Sequence, residues 1–221
     1  MSNDEHAFGR RGVGFGIAFV VTGPSGAGKT SVIGRVMKSL PGLSFSVSHT
    51  TRPRRERETD GVDYIFVSED GFARLAREGA FVEHVVYSGS RYGTSRKQLE
   101  ECFRRGTDVI LNVEVEGAKS LRESGLGERP IVYIFLAPST LDRLAERLRS
   151  RGTESEEKIS ERISVAAEEM KALESFDYFV VNDEIDRAVE ELRSIVIAER
   201  SRVLRQDEAT DERPAASSKD K

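Results

Sequence analysis

The residues Gly23-Pro24-Ser25-Gly26-Ala27-Gly28-Lys29-Thr30 fit the spacing G-x-x-x-x-G-K-[ST], and each residue type has a chemical reason to be there. Glycines at 23, 26 and 28 let the backbone turn tightly and aim successive N–H groups inward, making a nest for an anion at the start of a helix. Lys29 can reach the β- and γ-phosphates of a nucleotide, and the Thr30 hydroxyl is a ligand for Mg²⁺. The motif needs a strand before it and a helix after it. Both are predicted here, a buried strand at Ile17–Val21 and a helix at Ser31–Leu40 with Val32, Val36 and Leu40 on one face. The chain therefore reads as a binder of a nucleoside triphosphate. The loop does not say what becomes of the γ-phosphate, because GTPases, ATPases, motors and small-molecule kinases share it.

A second group of residues bears on the acceptor. Thr50-Thr51-Arg52-Pro53-Arg54-Arg55-Glu56-Arg57 is the densest cationic stretch, followed closely by Asp63 and Tyr64. Guanidinium groups bind phosphate oxygens bidentately, and a phenol donates one more hydrogen bond. The other reading is a solvated charged loop, since Glu56 and Glu58 intersperse the arginines. Glu83 lies in the apolar run Phe81–Tyr87, where a carboxylate must be satisfied by donors. A guanine base would offer them at N1 and its exocyclic amine, and an arginine would serve as well.

These residues are positioned by a chain of 221 residues with 34 Lys+Arg, 38 Asp+Glu and a net charge of −4. That balance speaks against a nucleic-acid partner, and no apolar run approaches the ~20 residues of a membrane helix. The N-terminal residues carry no basic, apolar leader pattern. The single cysteine, Cys102, forbids an internal disulfide and fits the reducing cytoplasm. Further buried strands are predicted at Asp108–Val113, Ile131–Leu136 and Tyr178–Val181. Helices fit about Arg96–Arg105, Thr140–Ser150, Ser155–Leu173 and Ile185–Arg205, with Thr153 and Glu156 as a capping box for the third. Strands alternating with helices predict a parallel sheet covered on both faces.

Two stretches break that rhythm. Residues 45–92 carry strand-like runs at Phe45–Ser48, Tyr64–Val67 and Phe81–Tyr87, which suggests a small sheet-containing insertion. Residues 147–162 are densely charged around Gly152 and suggest a mobile lid. Residues 1–14 and 206–221 are polar and predicted to be flexible.

Taken in order, Gly23–Thr30, Phe45–Ser48 with Thr50-Thr51-Arg52 and Arg55, Gly61 with Asp63-Tyr64, Phe81-Val82-Glu83, Ser88-Gly89, Tyr92-Gly93-Thr94, Arg151-Gly152-Thr153-Glu154 and Val180-Val181-Asn182-Asp183 resemble the guanylate kinase family, over about residues 16–200. The resemblance implies an α/β fold with a P-loop core, a parallel sheet and flanking helices. To this it adds a small β-containing GMP-binding insertion and a helical lid. Its expected boundaries are core at 15–49, 95–146 and 171–205, insertion at 50–94 and lid at 147–170. It implies transfer of the γ-phosphate of ATP to GMP, and to dGMP, in line and with Mg²⁺. Arg52, Arg55, Tyr64 and Tyr92 are expected to hold the GMP phosphate, and Ser48, Glu83 and Thr94 to read guanine. Arg147, Arg151 and Arg162 are expected to reach the phosphates from the lid. Asn182 is expected near the adenine of ATP.

Residues Val109–Gly117 read as one strand, in which Asn112 and Glu116 depart from the family's usual Asp and Gln. On that reading Glu114 shares a face with Asn112 and supplies negative charge near Mg²⁺ or the GMP site. Arg57 stands where the family commonly has Gly. Two alternatives are a guanylate-kinase-like module that binds phosphopeptides without catalysis and a kinase for another phosphorylated acceptor. The intact Lys29, Thr30, Arg151 and Arg162 oppose the first, and Ser48, Glu83 and Thr94 oppose the second.

Overall fold

The computed structural model describes residues 16–56, 58–126, 129–150 and 155–203. Its elements begin with β1 (Ala18–Thr22), α1 (Lys29–Ser39), β2 (Leu43–Ser46), β3 (His49–Thr50), β4 (Ile65–Phe66), α2 (Glu69–Arg77), β5 (Phe81–Tyr87), β6 (Ser90–Ser95) and α3 (Arg96–Arg104). They continue with β7 (Asp108–Asn112), α4 (Val115–Ser124), β8 (Ile131–Ala137), α5 (Leu141–Ser150), α6 (Glu156–Met170), β9 (Tyr178–Val181) and α7 (Ile185–Arg200). The predicted tails, Arg57, Arg151 and Thr153 lie outside the described residues.

β1 is fully buried because it is the middle of a parallel sheet in the order β2-β7-β1-β8-β9. A strand covered on both faces has no polar side, which is why its sequence is a continuous apolar run. Ile17, Phe19 and Val21 pack on one face against Val32 and Val36 of α1 and Leu192 and Val196 of α7. Ala18 and Val20 face the other way, against Leu99 and Phe103 of α3 and Leu121 of α4. The edges of this layer are tied by Asp108, a buried carboxylate accepting the Ile17 N–H at 2.7 Å and the Arg200 Nε at 2.7 Å. The described residues include no helix long and apolar enough to cross a membrane.

A second, four-stranded sheet follows the order β4-β3-β6-β5, with β3 and β5 both antiparallel to β6. Phe72 and Phe81, ring centroids 4.6 Å apart, form its small apolar centre with His84 against them.

Four sequence expectations need correction. The Phe45–Ser48 run does not belong to the irregular stretch, because β2 pairs in parallel with β7, Leu43 opposite Asp108, at the edge of the core sheet. The strand expected through Gly117 stops at Asn112, and Glu114 is the N-cap of α4. The alternation Val-Glu-Val-Glu imitates a strand, yet after the Val113 N–H, which bonds the Val21 carbonyl at 3.2 Å, the chain turns into α4. Glu114 and Asn112 therefore do not share a strand face. The cap of the helix after the charged stretch is Ser155, whose hydroxyl accepts the Lys158 N–H; Thr153, the expected cap, lies outside the described residues. Finally, β6 was not anticipated: Ser90–Ser95 has weak strand propensity and is extended because β5 and β3 hydrogen-bond to it.

Candidate active site

The glycine-rich loop joins the end of β1 to the start of α1, as the strand-helix context requires. Two of its glycines are enforced by close approach as well as by backbone angle. A Cβ on Gly23 (φ 138°) would sit 2.0 Å from the Leu136 carbonyl oxygen, and one on Gly28 (φ 93°) 2.4 Å from Asn182 Nδ2. Lys29 Nζ folds back over the loop, donating to the carbonyl oxygens of Gly23 and of Pro24, the latter at 3.3 Å. Thr30 is exposed in the first turn of α1, with its N–H end of the helix beside the loop.

Residues distant in sequence converge on this loop. The buried Asn182, just past β9, donates through Nδ2 to the Ala27 carbonyl at 2.7 Å. Arg147 on α5 donates to the same carbonyl at 3.4 Å and to the Asp183 carbonyl at 3.0 Å. Arg162 on α6 reaches Ser25 Oγ at 2.7 Å. In this arrangement Asn182 and Arg147 brace the loop backbone, and Asn182 Oδ1 stays buried with no hydrogen-bond partner among the described residues.

The second sheet holds the other set. Glu83 on β5 lies opposite Thr94 on β6, and the Thr94 hydroxyl donates to Glu83 Oε1. Glu83 is only 6% exposed, and its Oε2 has no hydrogen-bond partner among the described residues. Burial pushes its carboxyl up; the bonds from Thr94 oppose that shift and Glu114 adds to it. The antiparallel register pairing His49 with Gly93 runs the buried Ser48 toward Thr94. Ser48, Glu83 and Thr94 are all buried polar side chains at this end of the second sheet.

Beside them, the Arg52 guanidinium lies over the Tyr64 ring at 5.3 Å, and the Tyr64 and Tyr92 rings are 5.9 Å apart. Burial, then the charges of Glu114 and Tyr92, push the Tyr64 hydroxyl up to about 12, so it is a hydrogen-bond donor at any working pH. Arg55 is exposed at the rim. Glu114 has a buried Oε2 without a partner among the described residues and acts electrostatically on Tyr64, Glu83 and Glu169. Its place at the start of α4, instead of on β7, is what brings it between the two sets.

Sequence reasoning missed Glu169. It sits on α6, in a run that reads as a solvated charged face, yet its Oε2 is buried without a partner among the described residues. Burial, with the charge of Glu114, pushes its carboxyl from an ordinary 4.5 up to about 7, against the pull of Lys29 and a bond from Tyr87, while Glu116 adds to the rise. Between those two values the unfolded chain has lost the proton and the folded chain keeps it. The contribution to stability is therefore complete below about pH 4.5 and lost as pH rises through about 7. In nucleotide-free protein, Glu169→Gln is expected to melt close to the wild type at pH 5 and above it at pH 8. Parallel melting curves across that range would remove this assignment.

A sequence model of the family described as Guanylate kinase matches residues 17–199. The chain belongs to the guanylate kinase family. A guanylate kinase of Desulfotalea psychrophila is 45% identical over 190 residues, spanning 86% of this chain and 93% of that one. One of Geobacter metallireducens is 42% identical over 198 residues, 90% and 96% of the two chains. Among solved structures, the guanylate kinase of Anaplasma phagocytophilum superposes with a TM-score of 0.71 at 29% identity, covering 90% of this chain and 95% of that one. The guanylate kinase match spans both sheets and the α5–α6 hairpin, so the glycine-rich loop and the Ser48–Glu83–Thr94 group belong to one family unit.

Proposed function

We propose that this guanylate kinase family member transfers the γ-phosphoryl group of ATP to GMP, and also to dGMP, giving ADP and the nucleoside diphosphate. The observation that carries this reading is the pairing of an intact phosphate loop with a buried carboxylate, Glu83, whose second oxygen has no donor among the described residues. Guanine brings two N–H donors to such an oxygen pair, whereas adenine presents a bare N1 and no 2-amino group.

Phosphoryl transfer asks little covalent chemistry of a protein, so positioning and charge neutralisation carry the catalysis. Gly23–Thr30 holds the ATP phosphates, and Lys29 leaves its own loop carbonyls for the β- and γ-phosphate oxygens. Arg52 and Arg55, with the phenols of Tyr64 and Tyr92, hold the acceptor phosphate in line despite its repulsion from ATP. Ser48, Glu83 and Thr94 fix the base, with Glu114 beside them. Arg147, Arg151 and Arg162 gather around the transferring group when residues 147–170 close over the core and residues 50–94 approach. Closure also excludes the water that would hydrolyse ATP. Asn182 borders the nucleotide through its hold on Ala27.

The donor set suits Mg²⁺ carried in with ATP. Thr30 offers a hydroxyl at the loop, Glu114 an unpartnered buried oxygen, and among the described residues no three His, Cys, Asp or Glu gather as a cage of their own. Thr30 would hold the ion, which when bound supplies positive charge to the phosphate oxygens. Because no residue of the acceptor set is assigned to a 2′-hydroxyl, dGMP is a substrate as well. The partners are small nucleotides, without nucleic acid or membrane, and the enzyme works in the cytoplasm.

ADP release from Mg-ATP with GMP, dGMP, AMP and no acceptor, run side by side, tests this. Rapid ADP formation is expected with GMP and dGMP and scarcely any with AMP or alone. ADP formation independent of acceptor, or none with GMP, would overturn the reading.

A further inference from the structure

Glu58 stands in the arginine-rich stretch, where its charge reads as part of a solvated face. The structure places it differently. Its two carboxylate oxygens are divided between the two arginine positions of the acceptor set. Oε1 accepts Arg52 Nη2 at 2.7 Å, and Oε2 accepts the backbone N–H of Arg55 at 2.8 Å. The Glu58 N–H returns to the Arg55 carbonyl at 3.1 Å, and the Glu58 carbonyl accepts Arg54 Nη1 at 2.8 Å. This makes a closed ring of reciprocal bonds around residues 52–58.

Shielding sets the pair apart. The Arg52 and Glu58 side chains are 15% and 16% exposed, whereas a surface pair such as Arg187–Glu191 is 75% and 33% exposed. Arg52 also packs against the adjacent Tyr64 and Phe66 rings, at 5.3 and 5.8 Å from their centroids. Burial pushes the Glu58 carboxyl up, but the bonds from Arg52 and from the Arg55 N–H outweigh it and hold it below the ordinary range. It is therefore an anion at working pH.

A carboxylate on a phosphate-binding arginine looks counterproductive until donors are counted. Arginine has five N–H donors. Glu58, the Pro53 carbonyl at 2.8 Å from Nη1, and the Tyr92 hydroxyl engage three of them. Two N–H donors are left over for phosphate oxygens, beside a phenol of the same acceptor set. A free arginine would have to be ordered when the ligand arrives, losing the rotamer entropy of a long side chain. Holding it beforehand removes that cost from binding.

We infer that Glu58 is a positioning residue of the acceptor-phosphate site, holding the Arg52 side chain and the Arg55 backbone in one arrangement before the nucleotide binds. This rests on the GMP acceptor reading above. Calorimetric titration of the full chain with GMP alone, and with guanosine alone, separates the two. The wild type binds GMP more tightly than guanosine. Glu58→Ala is expected to weaken GMP by about tenfold or more, to leave guanosine binding and the KM for ATP unchanged, and so to narrow the gap between the two ligands. Glu58→Gln, which keeps the shape and one acceptor, should recover part of the loss. Unchanged GMP affinity in Glu58→Ala would overturn the role, as would GMP and guanosine weakening in parallel, the sign of a loop that has merely lost its fold. Wild-type protein that does not favour GMP over guanosine would instead overturn the acceptor reading, and this role with it.

Discussion

Lys29→Ala is expected to lower kcat with GMP by a factor of about 10²–10³ or more, the range seen when one preorganised donor to transition-state charge is removed. The arginines do not replace it, since none of them projects from the loop backbone itself. Among the described residues, Lys29 Nζ bonds carbonyl oxygens of its own loop, at Gly23 and Pro24, which water can satisfy when the side chain is gone. The fold should therefore survive, and GMP binding, which uses the second sheet, should persist. Single-turnover measurement at saturating ATP and GMP isolates the chemical step. A kcat within tenfold of wild type would mean that Lys29 does not meet the transferring phosphoryl group.

The second large effect concerns specificity. Glu83→Ala should collapse the preference for GMP over AMP, in kcat/KM, from roughly 10⁴-fold or more toward parity, because a site built to hydrogen-bond a ligand rejects one that leaves its buried groups unpaired. Most of the loss should appear with GMP. Gly117 packs against the carboxylate: a Cβ there would sit 2.8 Å from Glu83 Oε2, so a larger residue would push the side chain aside. Stability should move the other way. Burial raises the Glu83 carboxyl above its ordinary value, so its contribution is favourable at low pH and lost as pH rises through the raised value. Glu83→Gln should accordingly melt above the wild type at pH 8 while discriminating worse, a trade of stability for function. An undiminished GMP preference in both variants would remove Glu83 from base recognition.

What the sequence by itself determined was whatever depends on near neighbours along the chain. The loop Gly23–Thr30 is legible because its glycine torsions, its lysine and its flanking strand and helix all lie within some twenty residues. The strands β1, β7 and β8 are legible because burial on both faces leaves nearly unbroken apolar runs, and β9, at the edge, because Tyr178–Val181 is apolar and β-branched or aromatic. The family resemblance then supplied roles for Arg52, Tyr64, Glu83 and Thr94 that composition alone left open.

Tertiary structure decided where long-range pairing overrides local pattern. β2 joins the core sheet because β7, more than sixty residues on, offers it an edge, and β6 is a strand only through its two neighbours. Glu114 opens a helix despite its Val-Glu alternation, because the chain turns into α4 after the Val113 N–H has bonded the Val21 carbonyl. Asn182 and Arg147 lie 155 and 120 residues from Ala27, yet both donate to its carbonyl. Glu58 and Glu169 look like ordinary solvated acids in sequence. Their environments come from groups folded around them, Arg52 with the Arg55 N–H for one, Tyr87, Lys29 and Glu114 for the other. A side chain's charge state and partners are properties of its surroundings, and those surroundings exist only once distant segments have packed.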